Sequence, residues 1–127
     1  MKQIIILLAA VSLLAGCSAN RVETEYKFGN KLAKRGLWKE AYYRWTRALL
    51  GGKETAALHN NIAISLEFQN RLDEAEKEYE KALKLDPNNE YIKRNLTRLK
   101  RRKNPDIKPD KSEQNEVKKR KKREHGV

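Results

Sequence analysis

AALHNNIAISLEFQNRLDEAEKEYEKALKLDPNN, residues 56–89, decides the fold, because residues 22–55, VETEYKFGNKLAKRGLWKEAYYRWTRALLGGKET, register against it without a gap. Each copy is 34 residues long. Phe28-Gly29 aligns with Ile62-Ala63, Leu32 with Leu66, Gly36 with Asn70 and Trp38 with Leu72. Ala41 then aligns with Ala75, Trp45 with Tyr79, and Ala48-Leu49 with Ala82-Leu83. Small side chains at Gly29, Ala41, Ala48 and their counterparts permit close helix–helix approach, and Trp38, Trp45, Leu72 and Tyr79 fill the spaces between. Gly36 and Asn70 tolerate a left-handed backbone and so can end a helix. Gly51-Gly52 ends the second helix of copy one, and Pro87 cannot continue that of copy two. The pattern predicts helices near 22–35, 38–50, 54–69 and 73–85.

A fifth helix is expected over 90–102, with Asn88 or Asn89 as its cap. Ile92, Leu96 and Leu99 form one apolar stripe, and Lys93, Arg94, Arg98, Lys100 and Arg101 occupy the other faces. Such a helix closes a stack of repeats with a polar outer side. The fold class expected is all-α: a short solenoid of two helix pairs (22–55 and 56–89) plus a capping helix. Two repeats make a thin core, since about three are usually needed, so the fold is expected to be marginal alone, or helped by self-association into a homo-oligomer or by a partner.

The period, with small residues at repeat positions 8, 20 and 27, resembles the tetratricopeptide repeat. The second copy is the nearer to that pattern. The first lacks its Asp-Pro turn and has Glu25 where an aromatic is usual. The resemblance implies a protein–protein interaction scaffold with a concave peptide groove lined by the first helix of each repeat. Carried over by position, the groove residues are Tyr26, Lys27, Asn30 and Lys34 in copy one and Asn60, Asn61, Ile64 and Phe68 in copy two. Arg94 and Arg98 are added from the closing helix. Side-chain amides both donate and accept, so they suit the backbone of an extended peptide. The cations would favour an acidic segment or a C-terminal carboxylate.

Ahead of the repeats, Met1-Lys2 leads into the apolar run Ile4–Leu14 and then Ala15-Gly16-Cys17. A positive start, a short apolar run and small residues read as an export signal over 1–16, too short to span a bilayer comfortably. Leu14-Ala15-Gly16-Cys17 resembles the lipobox of bacterial lipoproteins. That resemblance implies cleavage before Cys17, a covalent lipid on its sulfur, a short linker over 17–21, and a membrane-tethered protein. Ser18, by the family's sorting rule, favours the periplasmic face of the outer membrane. Cleavage after Ala19 is the competing reading of the same stretch.

The 127 residues hold 29 Lys/Arg against 17 Asp/Glu, a formal net charge of +12, and the surplus lies at one end. Residues 90–127 carry 15 Lys/Arg and 6 Asp/Glu. Residues 103–127 lose all periodicity and nearly all apolar side chains, so a disordered basic tail is expected. Its densest run is Lys118-Lys119-Arg120-Lys121-Lys122-Arg123, suited to anionic lipid or envelope polymer. Nucleic acid is not expected as a partner, because no aromatic side chains interleave the run for base stacking. The alternative to a groove scaffold is therefore an envelope tether acting through this tail, with the repeats as spacer or self-association unit.

Enzyme chemistry has little to stand on. One Cys excludes an internal disulfide framework, no Cys/His cluster suggests a metal site, and no Gly-rich phosphate loop is present. No cofactor is expected beyond the lipid. His59 reads as a helix residue and His125 as part of the tail. The acidic run 73–81 reads as exposed ion pairing, Asp73–Lys77 and Glu80–Lys84, rather than as acid/base machinery.

Overall fold

Two turns of the same build, 34 residues apart, organise the chain. At the first, Gly36 takes a φ of 75°, its N–H bonds to the Ala33 carbonyl at 2.9 Å, and the Leu37 N–H reaches back to Leu32 at 3.0 Å. At the second, Asn70 takes a φ of 58°, its N–H bonds to Glu67 at 3.0 Å, and the Arg71 N–H reaches Leu66 at 2.9 Å. These paired bonds close a helix on a left-handed residue, so Gly and Asn at those positions follow from backbone sterics. The repeat read in the sequence is thus a repeat of hydrogen bonds.

The computed structural model describes residues 20–106, Lys118 and residues 121–123. Helix α1 is helical over 20–34, followed by α2 (Trp38–Leu50), α3 (Ala56–Phe68), α4 (Leu72–Leu85) and α5 (Glu90–Lys103). No strand occurs among the described residues. The architecture is the expected short all-α solenoid. Helix α3 packs on α2 and α4, and α4 packs on α5. Thr55 caps α3 by accepting the Leu58 N–H, and Asn89, rather than Asn88, caps α5 by accepting the Ile92 N–H.

The core runs through matched positions of the two copies: Leu32 and Leu66, Ala41 and Ala75, Trp45 and Tyr79, Ala48 and Ala82. Leu58, Ile62, Ile92 and Leu99 join them. Full burial of a side chain such as Leu58 or Leu99 stabilises by roughly 1.5–3 kcal/mol. Gly29 is small for a specific reason, since a Cβ there would lie 2.5 Å from Trp45 Nε1 and 2.6 Å from its Cδ1. Trp38 departs from expectation. It stands half-buried at the start of α2, outside the core, and stacks on Phe68. Only Trp45 of the two tryptophans fills the interior.

Helix α5 is fastened to α4 by charge. Asp73 pairs with Lys103 at 2.6 Å instead of keeping to Lys77 of its own helix, and Glu76 also meets Lys103. The export signal, Cys17 and most of the tail lie outside the described residues. Lys118, Lys121, Lys122 and Arg123 are described, and they are helical and exposed, where the sequence suggested no regular structure. Lys119 and Arg120 are not described.

Candidate functional site

Two adjoining clefts, of about 400 and 420 Å³, open on the face formed by α1, α3 and α5 and share Trp38 and Ile64 in their walls. Asn30, Ala33, Lys34, Trp45 and Asn61 complete the first. Glu67, Phe68, Tyr91, Asn95, Arg98 and Arg102 complete the second. Between them the Phe68 and Trp38 rings are stacked, centroids 4.0 Å apart and planes 4° from parallel. Phe68 remains 62% exposed, so the pair offers apolar area to a ligand instead of burying it in the core. A large exposed aromatic with polar residues around it marks an interaction surface.

Beneath the clefts runs a chain of side-chain hydrogen bonds that crosses the solenoid. Arg98 Nη1 donates to Asn95 Oδ1 at 3.3 Å, and Asn95 Nδ2 donates to Asn60 Oδ1 at 2.9 Å. Asn60 Nδ2 then donates to Asn61 Oδ1 at 3.5 Å, and Asn61 Nδ2 to Asn30 Oδ1 at 3.4 Å. Trp45 Nε1 closes the far end by donating to that same Asn30 oxygen at 3.0 Å. Each of the four amide oxygens accepts, and the amides of Asn95, Asn60 and Asn61 each donate to the next, so α5, α3, α1 and α2 are held in one register. Such a satisfied network rigidifies the surface above it. Asn30 and Asn61 still line a cleft and keep further donor capacity, since an amide NH₂ carries two N–H groups.

The second cleft has an electrostatic anchor. Glu67 is only 8% exposed and accepts from the Tyr79 hydroxyl at 2.6 Å and from Arg98 Nη2 at 2.8 Å, and Arg102 stands 4.0 Å away. Burial, and then the bond to Glu67, push the Tyr79 hydroxyl well above its usual pKa, so it remains a donor. For Arg98, burial opposes the charge but the Glu67 contact outweighs it, and its pKa is raised. Two guanidinium groups against one carboxylate leave this wall net positive, and the exposed Lys34 adds a cation at the other cleft.

Six of the groove residues expected from sequence are brought together here: Asn30, Lys34, Asn61, Ile64, Phe68 and Arg98. Four are not. Asn60 is 5% exposed and serves the relay from below, because adjacent helical residues point about 100° apart and Asn61 holds the cleft side. Tyr26 is half-buried against the core with Lys53 Nζ 4.6 Å over its ring. Lys27 pairs with Glu23 at 3.6 Å, and Arg94 Nε bonds the Glu90 carbonyl at 3.3 Å, both away from the cleft walls. Trp38, Glu67, Tyr91, Asn95 and Arg102 line the site without having been expected there. Tyr91, Asn95, Arg98 and Arg102 fall at spacings of four, three and four, one helix face, which was the available signal.

His59 is buried, with Nδ1 2.6 Å from Glu78 Oε2, and its Nε2 makes no hydrogen bond. Among the described residues no group of three or more His, Cys, Asp or Glu side chains is placed to hold a metal ion. No described helix is long and apolar enough to cross a membrane.

No curated protein is significantly similar to the chain. The tetratricopeptide repeat family matches residues 56–89. Helix α3, the Asn70 turn and α4 are therefore a tetratricopeptide repeat, a module that mediates binding to other proteins.

Proposed function

We propose that this protein is a lipid-anchored adaptor of the bacterial envelope that holds a segment of another envelope protein in the α1–α3–α5 groove. The observation that carries the reading is the exposed Trp38–Phe68 stack, set between two clefts whose surplus charge is positive. A matching segment is extended, has an apolar residue to lie on the stack, and has carboxylates on either side to meet Arg98, Arg102 and Lys34. A basic segment does not match, because it would leave like charges facing each other. In this reading the protein acts by binding.

The anchor in this proposal is a lipid on Cys17, supported by Leu14-Ala15-Gly16-Cys17 at the end of the apolar run, and Ser18 supports the outer membrane's periplasmic face. Two or more acyl chains give stable attachment without a spanning helix. A second reading, a tether through the basic tail, is favoured by the exposure of Lys118, Lys121, Lys122 and Arg123.

A photo-crosslinking amino acid at position 68 in the native envelope separates these readings, with a form lacking residues 104–127 beside it. The groove reading expects one envelope protein captured by both forms. Capture that vanishes with the tail, and is absent at position 68, would establish the tether instead.

A further inference from the structure

The anchor and the repeats are joined by very little chain. Helix α1 is already formed at Asn20, three residues after Cys17. Three residues span at most about 11 Å when fully extended. A lipid on Cys17 therefore places the start of α1 at the level of the headgroups.

Helix α2 runs antiparallel to α1, so its last turn lies at the same end. There Arg21, Val22 and Glu25 of α1 share a shallow cleft of about 300 Å³ with Arg47, Leu50 and Gly51. Leu50 is 82% exposed. Two of the acidic groups at this end are already matched: Glu25 by Arg44 at 3.1 Å and Arg47 at 3.2 Å, Glu23 by Lys53 at 2.8 Å. Lys53, through its hydrogen bond, holds the Glu23 carboxyl below its usual pKa, so that charge pair persists. In the cleft beside Leu50, Arg21 and Arg47 stand against Glu25 alone, which leaves a cationic surplus next to a protruding leucine. An apolar side chain that enters the acyl boundary, ringed by cations that reach phosphates, is the pattern of an interfacial surface.

We infer that this end of the solenoid, Arg21, Arg47 and Leu50, docks on the anionic bilayer that carries the anchor. The inference rests on the lipid at Cys17 proposed above. Its consequence is orientation. Leu50 and Trp38 are the two ends of α2, twelve residues apart, or about 18 Å along the helix. Docking through Leu50 turns the Trp38–Phe68 stack away from the membrane and toward a partner.

The full chain, isolated with its lipid and placed in nanodiscs of phosphatidylethanolamine and phosphatidylglycerol, tests this. Acylation blocks Cys17, so Leu50→Cys and Lys34→Cys each supply one thiol for a polarity-sensitive dye. Docking expects a blue-shifted dye at position 50, severalfold more quenched by a lipid-borne quencher than the dye at position 34. Adding Arg21→Glu should remove that difference while the protein stays on the disc. Equal, water-like emission at both positions would overturn the docking and leave the anchor standing. Thiol labelling of the unsubstituted chain at Cys17 would instead overturn the anchor, and the docking with it.

Discussion

Asn30 Oδ1 accepts from both Trp45 Nε1, at 3.0 Å, and Asn61 Nδ2, at 3.4 Å, so a single oxygen ties the interior of the first helix pair to the groove wall of the second. Gly29, one residue earlier, gives the indole the room to reach it. The ligand face and the core are thus parts of one network, and substitutions in either should be felt in the other.

Gly29→Ala is expected to destabilise by about 1–3 kcal/mol, because the new Cβ overlaps the Trp45 ring and must displace it. Urea unfolding measures the loss, and a shift in Trp45 emission should accompany it. Gly36→Ala meets no neighbouring atom but strains a φ of 75°, so its cost, about 1–2 kcal/mol, should come without any change in Trp45 emission.

Asn60→Ala breaks the relay at a buried point and leaves Asn95 without its acceptor. A loss of about 1–3 kcal/mol in denaturant unfolding is expected. Asn61→Ala, at the half-buried neighbour, should cost less stability and more binding. Equal stability losses would mean that the relay is not what fixes α5 against α3.

Glu67→Gln separates the two duties of that residue. The amide oxygen can still accept from Tyr79, so stability should fall only modestly, while Arg98 and Arg102 lose their counter-charge. Binding of an acidic peptide should tighten, most visibly at low salt. Weaker binding would show that Glu67 positions the arginines rather than restraining them.

Acid should loosen α5. Lys103, by hydrogen bonding, holds the Asp73 and Glu76 carboxyls below their ordinary values of 3.8 and 4.5. A depressed carboxylate stabilises the fold above its unfolded pKa, and that stabilisation is lost as pH falls through the folded value. Amide protection over residues 99–103 should therefore fall as pH is lowered from 6 past the ordinary carboxylate range, ahead of residues 58–66 in α3. Unchanged relative protection would mean that these pairs do not hold the helix.

The fold was legible because it depends on local signals that recur: a left-handed residue at 36 and 70, and small side chains at 41 and 75. The groove was legible only in part. Position-by-position carry-over brought Asn30, Asn61 and Phe68 to the right face, because helix phase is fixed by the repeat. It failed for Tyr26 and Lys27, since the cleft is walled by Trp38 and sits beside the C-terminal half of α1. The Glu67–Arg98 contact joins residues 31 apart, and the Trp38–Phe68 stack joins residues 30 apart. Such pairings depend on how far one helix slides along another, which no period in the chain encodes.

Selection of random linear peptides against the full-length chain in detergent, with Phe68→Ala and Arg102→Glu forms as parallel baits, tests the groove most directly. Phe68 and Arg102 are both exposed, so neither change should unfold the protein. Peptides pairing a Leu or aromatic residue with flanking Asp or Glu should be enriched on the unsubstituted chain and lost on both variants. Enrichment of basic or uncharged peptides that persists on both variants would show that the partner binds elsewhere.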